Sequence, residues 1–183
     1  MPMNNGGARS WYAKGVAEHY RRHGADYHNP HTAIIDRSLR KVVVDWNLDL
    51  SNVLDLAAGS GEVSSTLISL GARISAIDPF TFDAYEKQIG QPCERFTFEE
   101  IAQGSLSGRS YSMIVCSFAL HLCPDSILPS CCIALSQVSP TLLILSPHKR
   151  PDIRSNWGWT LTKGMSLDRV QIRQFSNQTC GII

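Results

Sequence analysis

Val53 to Ser65 reads V-L-D-L-A-A-G-S-G-E-V-S-S, and this stretch decides the fold. The apolar run Val53 to Leu56 predicts a strand that is buried on both faces of a sheet. The small residues that follow predict a tight turn, and the apolar spacing after them predicts a helix from Glu62 to Leu70. A strand, a glycine turn and a helix form the opening unit of a nucleotide-binding α/β fold, in which the backbone turns sharply beside a ligand.

The segment Arg73 to Pro79, R-I-S-A-I-D-P, supplies a second half of the same signature. It predicts another short buried strand, which ends in Asp78, seventeen residues after Gly61. In dinucleotide-type folds an acidic residue at the tip of the second strand accepts hydrogen bonds from the ribose hydroxyls. The glycine turn and this carboxylate together indicate a ribose-containing cofactor.

The stretch resembles the glycine motif of the class I, Rossmann-like S-adenosylmethionine-dependent methyltransferases. In that motif an acidic residue, a small residue and two glycines stand at alternate positions. Four residues match it, with alanine where the first glycine is usual: Asp55, Ala57, Gly59 and Gly61. The nicotinamide fingerprint fits less well, because Ser64 falls where its third glycine or alanine belongs. The negative charge of Asp55 would not help a turn that binds a diphosphate, whereas it would favour a cofactor that carries an ammonium and a sulfonium group.

Strands alternate with helices along the rest of the chain, which predicts an α/β, three-layer sandwich with a mostly parallel sheet. The resemblance implies seven strands with an antiparallel last strand. We expect a single domain over residues 1–183, with a disordered start (1–9), an N-terminal helical lid (10–47) and a Rossmann-like core (48–175). The individual predictions include helices Trp11 to His23, Thr32 to Asp45 and Phe82 to Ile89, a third strand Glu94 to Phe98, and a terminal strand pair, Trp157 to Thr162 with Arg169 to Phe175.

The composition excludes several classes of protein. With 17 basic and 16 acidic residues the net charge is +1, so the chain as a whole does not attract polyanions. No apolar run approaches the roughly 18 residues of a membrane helix, and no signal-peptide core is visible, so we expect a cytoplasmic protein without a membrane partner. The six cysteines form no C-x-x-C pair and are expected to be free thiols, and without paired histidines on a helix we expect no metal.

The cofactor of the resembled family is S-adenosyl-L-methionine, and it binds at the carboxyl ends of the strands. The resemblance places the methionine and ribose groups on the first two tips, the adenine on the third, and a backbone carbonyl of the fourth near the cofactor. Glu99, at the third tip, is a candidate contact to the adenine, but a position in the solvated first turn of a helix explains an acidic residue there equally well. The implied cofactor-binding residues are Asp55, Ala57, Gly59, Ser60, Gly61, Asp78, Pro79, Phe98, Glu99, Ser117 and Phe118.

The fourth and fifth tips bear on the reaction and on the acceptor. The segment S-F-A-L-H at the fourth tip lacks the tetrapeptide of amino-directed nucleic-acid methyltransferases, and its His121 is a candidate general base. His31, before the first strand, is a second candidate. By the same resemblance the N-terminal segment covers the cofactor, while the fifth tip is basic. The candidate substrate residues of the lid and mouth are Tyr20, Tyr27, Asn29, His148 and Arg150.

These residues predict methyl transfer to an unidentified acceptor, with a small molecule favoured. If the basic groups of the lid and of the fifth tip converge, the acceptor is expected to be anionic. An RNA or protein acceptor stays open. So do a non-catalytic methyltransferase-like subunit that works with a partner chain, and a nicotinamide oxidoreductase.

Overall fold

The computed structural model of the chain describes residues 29–177, which fold around one seven-stranded sheet. The helices are α1 (Thr32–Asp45), α2 (Glu62–Ser69), α3 (Phe82–Ile89), α4 (Phe98–Ala102) and α5 (Leu128–Ser136), with short 3₁₀ turns at Leu120–Leu122 and Ser155–Trp157. The strands are β1 (Val53–Leu56), β2 (Ile74–Ile77), β3 (Cys93–Glu94), β4 (Met113–Ser117), β5 (Thr141–Ser146), β6 (Trp159–Leu167) and β7 (Val170–Asn177).

The strand order is β3-β2-β1-β4-β5-β7-β6. The first five strands pair in parallel, β7 pairs antiparallel with β5, and β6 pairs antiparallel with β7. The predicted α/β fold with a mostly parallel sheet and an antiparallel last strand is confirmed. The chain runs outward from β1 to β3 and then returns to place β4 on the other side of β1. Ligands bind in open α/β sheets at such a switch point.

The core lies on both faces of the sheet. Along β4, Met113 and Val115 pack on one face with residues of α1 and α2, whereas Ile114 and Cys116 pack on the other with residues of α4 and α5. This double burial explains why the parallel strands read as continuous apolar runs. It also holds the carboxyl ends of the strands in fixed positions, because every strand of the centre is clamped between two layers.

Most predicted elements agree with the structure. Helices Thr32–Asp45 and Phe82–Ile89 and strand Val53–Leu56 have the predicted bounds, and the terminal strand pair exists but is longer than predicted. The first nine residues and the helix predicted from Trp11 to His23 lie outside the described residues. Within residues 29–177, no helix has both the length and the apolar character needed to cross a membrane.

The third strand exists, but its predicted bounds, Glu94 to Phe98, are wrong. Only Cys93 and Glu94 pair in the sheet; Arg95 and Phe96 are irregular, and Thr97 caps the helix that begins at Phe98. The Thr97 side chain accepts a hydrogen bond from the Glu100 N–H, and the Glu100 carboxylate accepts one from the Thr97 N–H, which forms a capping box. Because this cap begins α4 at Phe98, that residue stands at a helix N-terminus and not at the tip of a strand.

Candidate functional site

A cavity of about 230 Å³ lies at the carboxyl ends of β1, β2 and β4. It therefore occupies the switch point that the strand order creates. Most of its wall is apolar, with polar atoms concentrated at the strand tips. The described residues that line it are Asn29, Ile35, Asp55, Leu56, Ala57, Ala58, Gly59, Glu62, Val63, Ile77, Asp78, Pro79, Phe80, Thr81, Phe96, Thr97, Phe98, Glu99, Ser117, Phe118, Ala119, Leu122 and Pro124.

Within residues 29–177, the ionisable residues that line this cavity are all acidic. Four of its lining residues are acidic, and none of the described lining residues is a lysine, an arginine or a histidine. Three of the four are buried: Asp55 is 1% exposed, Glu62 5% and Asp78 7%. Because buried carboxylates repel one another and lack the solvation of water, such a cavity favours a positively charged ligand.

Asp55 stands at the end of β1 and is held by the next helix. Its Oδ2 atom accepts hydrogen bonds from the Ser64 N–H at 3.0 Å and from the Ser64 hydroxyl at 2.7 Å, and the Tyr85 hydroxyl donates to Ser64 Oγ at 2.9 Å. Burial raises the pKa of Asp55 to about 7, the negative charges of Glu62 and Asp78 act in the same direction, and the Ser64 bonds oppose it. At neutral pH this carboxyl group therefore lies near its midpoint of titration.

Asp78 ties the tip of β2 to the glycine turn. Its Oδ1 atom accepts hydrogen bonds from the backbone N–H groups of Phe80 at 2.9 Å and Thr81 at 2.8 Å, and its Oδ2 atom accepts one from the Gly59 N–H at 3.0 Å. The Thr81 hydroxyl donates back to the Gly59 carbonyl at 3.0 Å. The carboxylate keeps lone-pair capacity for a further donor, since two oxygens offer about four acceptor positions.

The glycine turn has the left-handed backbone that its motif demands. Ala57, Gly59 and Gly61 have φ of 56°, 61° and 95°. A Cβ atom on Gly61 would lie 2.5 Å from Ile89 Cγ1, so this glycine is also needed for the packing of α3. Gly61 and its neighbour Ser60, whose hydroxyl donates to the Glu62 carboxylate, shape the turn but do not line the cavity.

The cavity's apolar wall is rich in flat side chains. Phe98 and Glu99 line it as the resemblance implied, although they do so from the first turn of α4. Pro79 lines it from the tip of β2. Aromatic rings and proline offer flat faces for a planar apolar group such as a nucleobase.

Two solved methyltransferase structures have an architecture similar to that of this chain. Magnesium protoporphyrin IX methyltransferase from Synechocystis PCC 6803, crystallised with bound S-adenosylmethionine, matches 97% of this chain and 99% of its own, with 17% identity and a TM-score of 0.61. The N-methyltransferase NodS from Bradyrhizobium japonicum WM9, in complex with S-adenosyl-L-homocysteine, matches 82% of this chain and 89% of its own, with 15% identity and a TM-score of 0.61. The chain has the class I methyltransferase fold. The resemblance drawn from the glycine motif is thus confirmed for the fold.

A sequence relative identifies the family. An uncharacterised protein of Schizosaccharomyces pombe is 35% identical over 198 aligned positions, which cover 82% of this chain and 78% of that protein. The chain belongs to the same family as this yeast protein. No model of a known protein family matches the chain.

In this class I fold the segment before α1 and the tip of β4 meet at an aromatic stack. Ser117 and Phe118, which were predicted to bind the cofactor, line the cavity, and the His31 ring stacks on the Phe118 ring with centroids 4.4 Å apart and planes 6° apart. Phe118 has a φ of 54°, which is rare for a bulky residue and is typical of functional sites. Asn29 lines the cavity, whereas His31 lies behind Phe118.

The two other histidine predictions come together outside the cavity. The rings of His121 and His148 have centroids 5.2 Å apart, and neither residue lines the cavity, although Ala119 and Leu122 on either side of His121 do. Burial lowers the pKa of His121, and the nearby His148 lowers it further. Arg150 is exposed on the loop after β5 and does not line the cavity, while Tyr20 and Tyr27 lie outside the described residues.

Sequence reasoning missed two polar residues of this site. Glu62 was read only as the first residue of a helix, and Ser64 only as a departure from the nicotinamide fingerprint. The available signal was an acid and a serine in the first turn after the glycines, where side chains face the ligand end of the helix. Among residues 29–177 no group of three or more metal-binding side chains is suitably arranged, and the five cysteines there are buried free thiols.

Proposed function

We propose that the chain binds S-adenosyl-L-methionine and transfers its methyl group to a small-molecule acceptor. The observation that carries this proposal is the charge of the cavity, in which four carboxylates and no cation occur among the described lining residues. The sulfonium and ammonium groups of this cofactor are cationic, so buried carboxylates favour it. The diphosphate of a nicotinamide cofactor would instead meet electrostatic repulsion from Asp55, Glu62 and Asp78.

The residues present fit the cofactor group by group. Asp78 has acceptor capacity for the ribose hydroxyls, and the flat wall around Pro79 and Phe98 suits the adenine. Asp55 and Glu62 would balance the charge of the methionine end. The structures of the two named neighbours contain S-adenosylmethionine or S-adenosylhomocysteine, which supports the same choice.

Methyl transfer requires few catalytic groups from the chain itself. When bound, the cofactor supplies an already activated methyl group on a positively charged sulfur. The chain's residues then need to orient the two reactants and exclude water, which the largely apolar wall of the cavity favours. For an acceptor that carries a proton, His121 is the candidate base: it does not line the cavity itself but adjoins Leu122, which does, and its lowered pKa favours the neutral imidazole that can accept a proton. His31 is a weaker candidate, since its ring lies behind Phe118.

A small molecule is the acceptor that the cavity's surroundings favour. No described insertion forms a separate platform for a macromolecule, since the segments between the elements are short. Magnesium protoporphyrin IX, named for the Synechocystis neighbour, is itself a small molecule. An RNA or protein acceptor and a non-catalytic subunit are the alternatives that the experiment must separate.

Calorimetry with the purified chain tests the proposal. We expect micromolar binding of S-adenosylmethionine and S-adenosylhomocysteine and none of NAD. Asp55→Asn should weaken the binding of both, while Asp83→Asn, which changes an exposed acid at the start of α3, should not. Binding of NAD alone would contradict the proposal. Silence from all three ligands would favour the non-catalytic subunit.

A further inference from the structure

A basic loop follows β5 beside the cofactor cavity. The β5 loop, residues 147–154, carries three cations and one carboxylate, and its His148 contacts His121 after β4. Strand β5 is the direct neighbour of β4, with Leu145 opposite Ser117, so the loop begins one strand away from the cavity wall. The acidic cavity and the basic loop thus lie side by side at the same edge of the sheet.

Arg173 holds this loop from β7. Its Nη1 atom donates hydrogen bonds to the carbonyl oxygens of Lys149 and Pro151, both at 3.0 Å. The Ser146 hydroxyl donates to the carbonyl of His148 and fixes the start of the loop. These bonds give the loop a defined backbone, so its cations project from a pre-organised segment.

The Arg173 guanidinium lacks a counter-charge. Its Nε and Nη2 atoms are buried and have no hydrogen-bond partner, and it forms no ion pair within residues 29–177. Burial lowers the pKa of Arg173, and the charge of Asp152 opposes this only in part. Unpaired buried donors on a cation are costly, and the Phe175 ring, whose centroid lies 5.6 Å from Arg173 Cζ, offers them no acceptor oxygen.

His121, which contacts the loop through His148, and the exposed loop cations lack partners among the described residues as well. Nδ1 of His121 is buried without a hydrogen bond, and the described part of the chain offers no anion to Lys149 or Arg150. Elsewhere the arginines and lysines of α1 form ion pairs with Asp36, Asp45 and Asp168. His148 contacts His121 and the loop backbone contacts Arg173, so these donors adjoin one loop, where an oxyanion could accept hydrogen bonds from the exposed ones.

We infer that the cluster of His121, His148, Lys149, Arg150 and Arg173 binds an oxyanion group, a phosphate or a carboxylate, of the methyl acceptor. This inference rests on the proposed function, because it assumes that the acceptor lies next to the methyl group. An anion held by His148, Lys149 and Arg150 would lie on the loop that Arg173 anchors and would offset the buried charge of Arg173 without entering the acidic cavity. The anionic group would thereby orient the acceptor with its reacting atom toward the cofactor.

The test uses the chain saturated with S-adenosylhomocysteine and two probes, inorganic phosphate and acetate. NMR titrations follow the ring protons of His121 and His148, assigned with His→Gln variants. We expect saturable shifts with phosphate or acetate, and the stronger of the two identifies the oxyanion. Lys149→Gln/Arg150→Gln should raise the dissociation constant about tenfold, as loss of a charge-assisted hydrogen bond does.

Controls separate this site from general attraction of anions. Lys87→Gln and Arg169→Gln remove exposed cations elsewhere and should leave the dissociation constant unchanged. Arg173→Lys keeps the charge but loses the planar fork, and it should weaken binding while a thermal melt shows that the chain stays folded.

Three outcomes would overturn the inference: no saturable shift with either anion, equal weakening in the control variants, or binding of a short RNA with neither small anion. Cofactor affinity is measured beforehand without anions. If the chain does not bind the cofactor, the proposed function is contradicted. The anion titration is then carried out on the cofactor-free chain, where it tests the anion site alone.

Discussion

The Oδ2 atom of Asp78 accepts a hydrogen bond from the backbone N–H of Gly59 at 3.0 Å, which joins the tips of β2 and β1. The same carboxylate holds the N–H groups of Phe80 and Thr81. The residue that the motif assigns to ribose binding is therefore also the anchor of the glycine turn. Any substitution at Asp78 acts on the shape of the cavity as well as on the cofactor.

Asp78→Ala should lower both stability and cofactor affinity. Three backbone donors lose their acceptor, which predicts a loss of about 1–3 kcal/mol in the free energy of unfolding. Asp78→Asn keeps one acceptor oxygen and should lose less stability, although cofactor binding still weakens. Urea unfolding and calorimetry measure the two effects, with Asp83→Asn as the control. Unchanged cofactor binding in a folded Asp78→Ala protein would contradict this assignment.

Ala57 occupies a position where the backbone favours glycine. Its φ of 56° lies in the left-handed region, which costs a residue with a Cβ atom about 1 kcal/mol. Ala57→Gly removes this strain, whereas Ala72→Gly, at another partly buried alanine without a positive φ, removes none. We expect the first variant to be about 1 kcal/mol more stable than the second, as measured by urea unfolding. Equal unfolding free energies would argue against strain at Ala57.

The segment from β1 through the glycine turn to the end of β2 could be predicted from the sequence, because its determinants are local. The run Val53–Leu56, the small residues after it and Asp78 each carry their own signal, either an apolar pattern or a demand for a special backbone. The helix Thr32–Asp45 was predicted for the same reason, since its buried side chains repeat at helical spacing.

Other features depend on contacts between distant residues and could not be predicted. The alternation after Glu94 suggested a strand, but the capping box of Thr97 and Glu100 favours a helix. The approach of His121 to His148 depends on the pairing of β4 with β5 and on the loop bonds of Arg173. A sequence shows that both histidines follow strands but not that their rings meet.

Gly61 should tolerate alanine worse than another glycine with the same backbone. Gly61 and Gly71 have φ of 95° and 90°, so both lose stability through strain when a Cβ atom is added. At Gly61 that atom would also lie 2.5 Å from Ile89 Cγ1, whereas at Gly71 nothing lies within 4 Å. Gly61→Ala should therefore cost about 1–3 kcal/mol more in unfolding free energy than Gly71→Ala.

A double-mutant cycle identifies the source of that difference. Ile89→Ala removes the two nearest atoms that the new Cβ would meet and leaves Tyr85 Cδ2 at 3.1 Å, so the cost of Gly61→Ala should shrink in this background. The cost of Gly71→Ala should stay the same. An equal penalty for Gly61→Ala in both backgrounds would show that backbone strain alone accounts for it.

Asp55 should make stability depend on pH. Its pKa of about 7 lies above the unfolded value of about 3.9, so the folded state binds the proton more tightly. The stabilisation from this proton is complete below about pH 4 and is lost as the pH rises through about 7. Asp55→Asn should flatten the stability curve between pH 5 and 8, whereas Asp83→Asn should leave its slope unchanged.

The same pKa predicts that cofactor binding releases a proton. At pH 7 a group with a pKa of about 7 is about half protonated, and a cation bound beside it favours the carboxylate. Binding of S-adenosylmethionine should therefore release about half a proton at pH 7 and almost none at pH 9. Calorimetry in Bis-Tris and Tris buffers, whose ionisation enthalpies differ and which add no phosphate, measures the number. Buffer-independent heats at pH 7, or a release that persists in Asp55→Asn, would show that this carboxyl group does not meet the cofactor's charge.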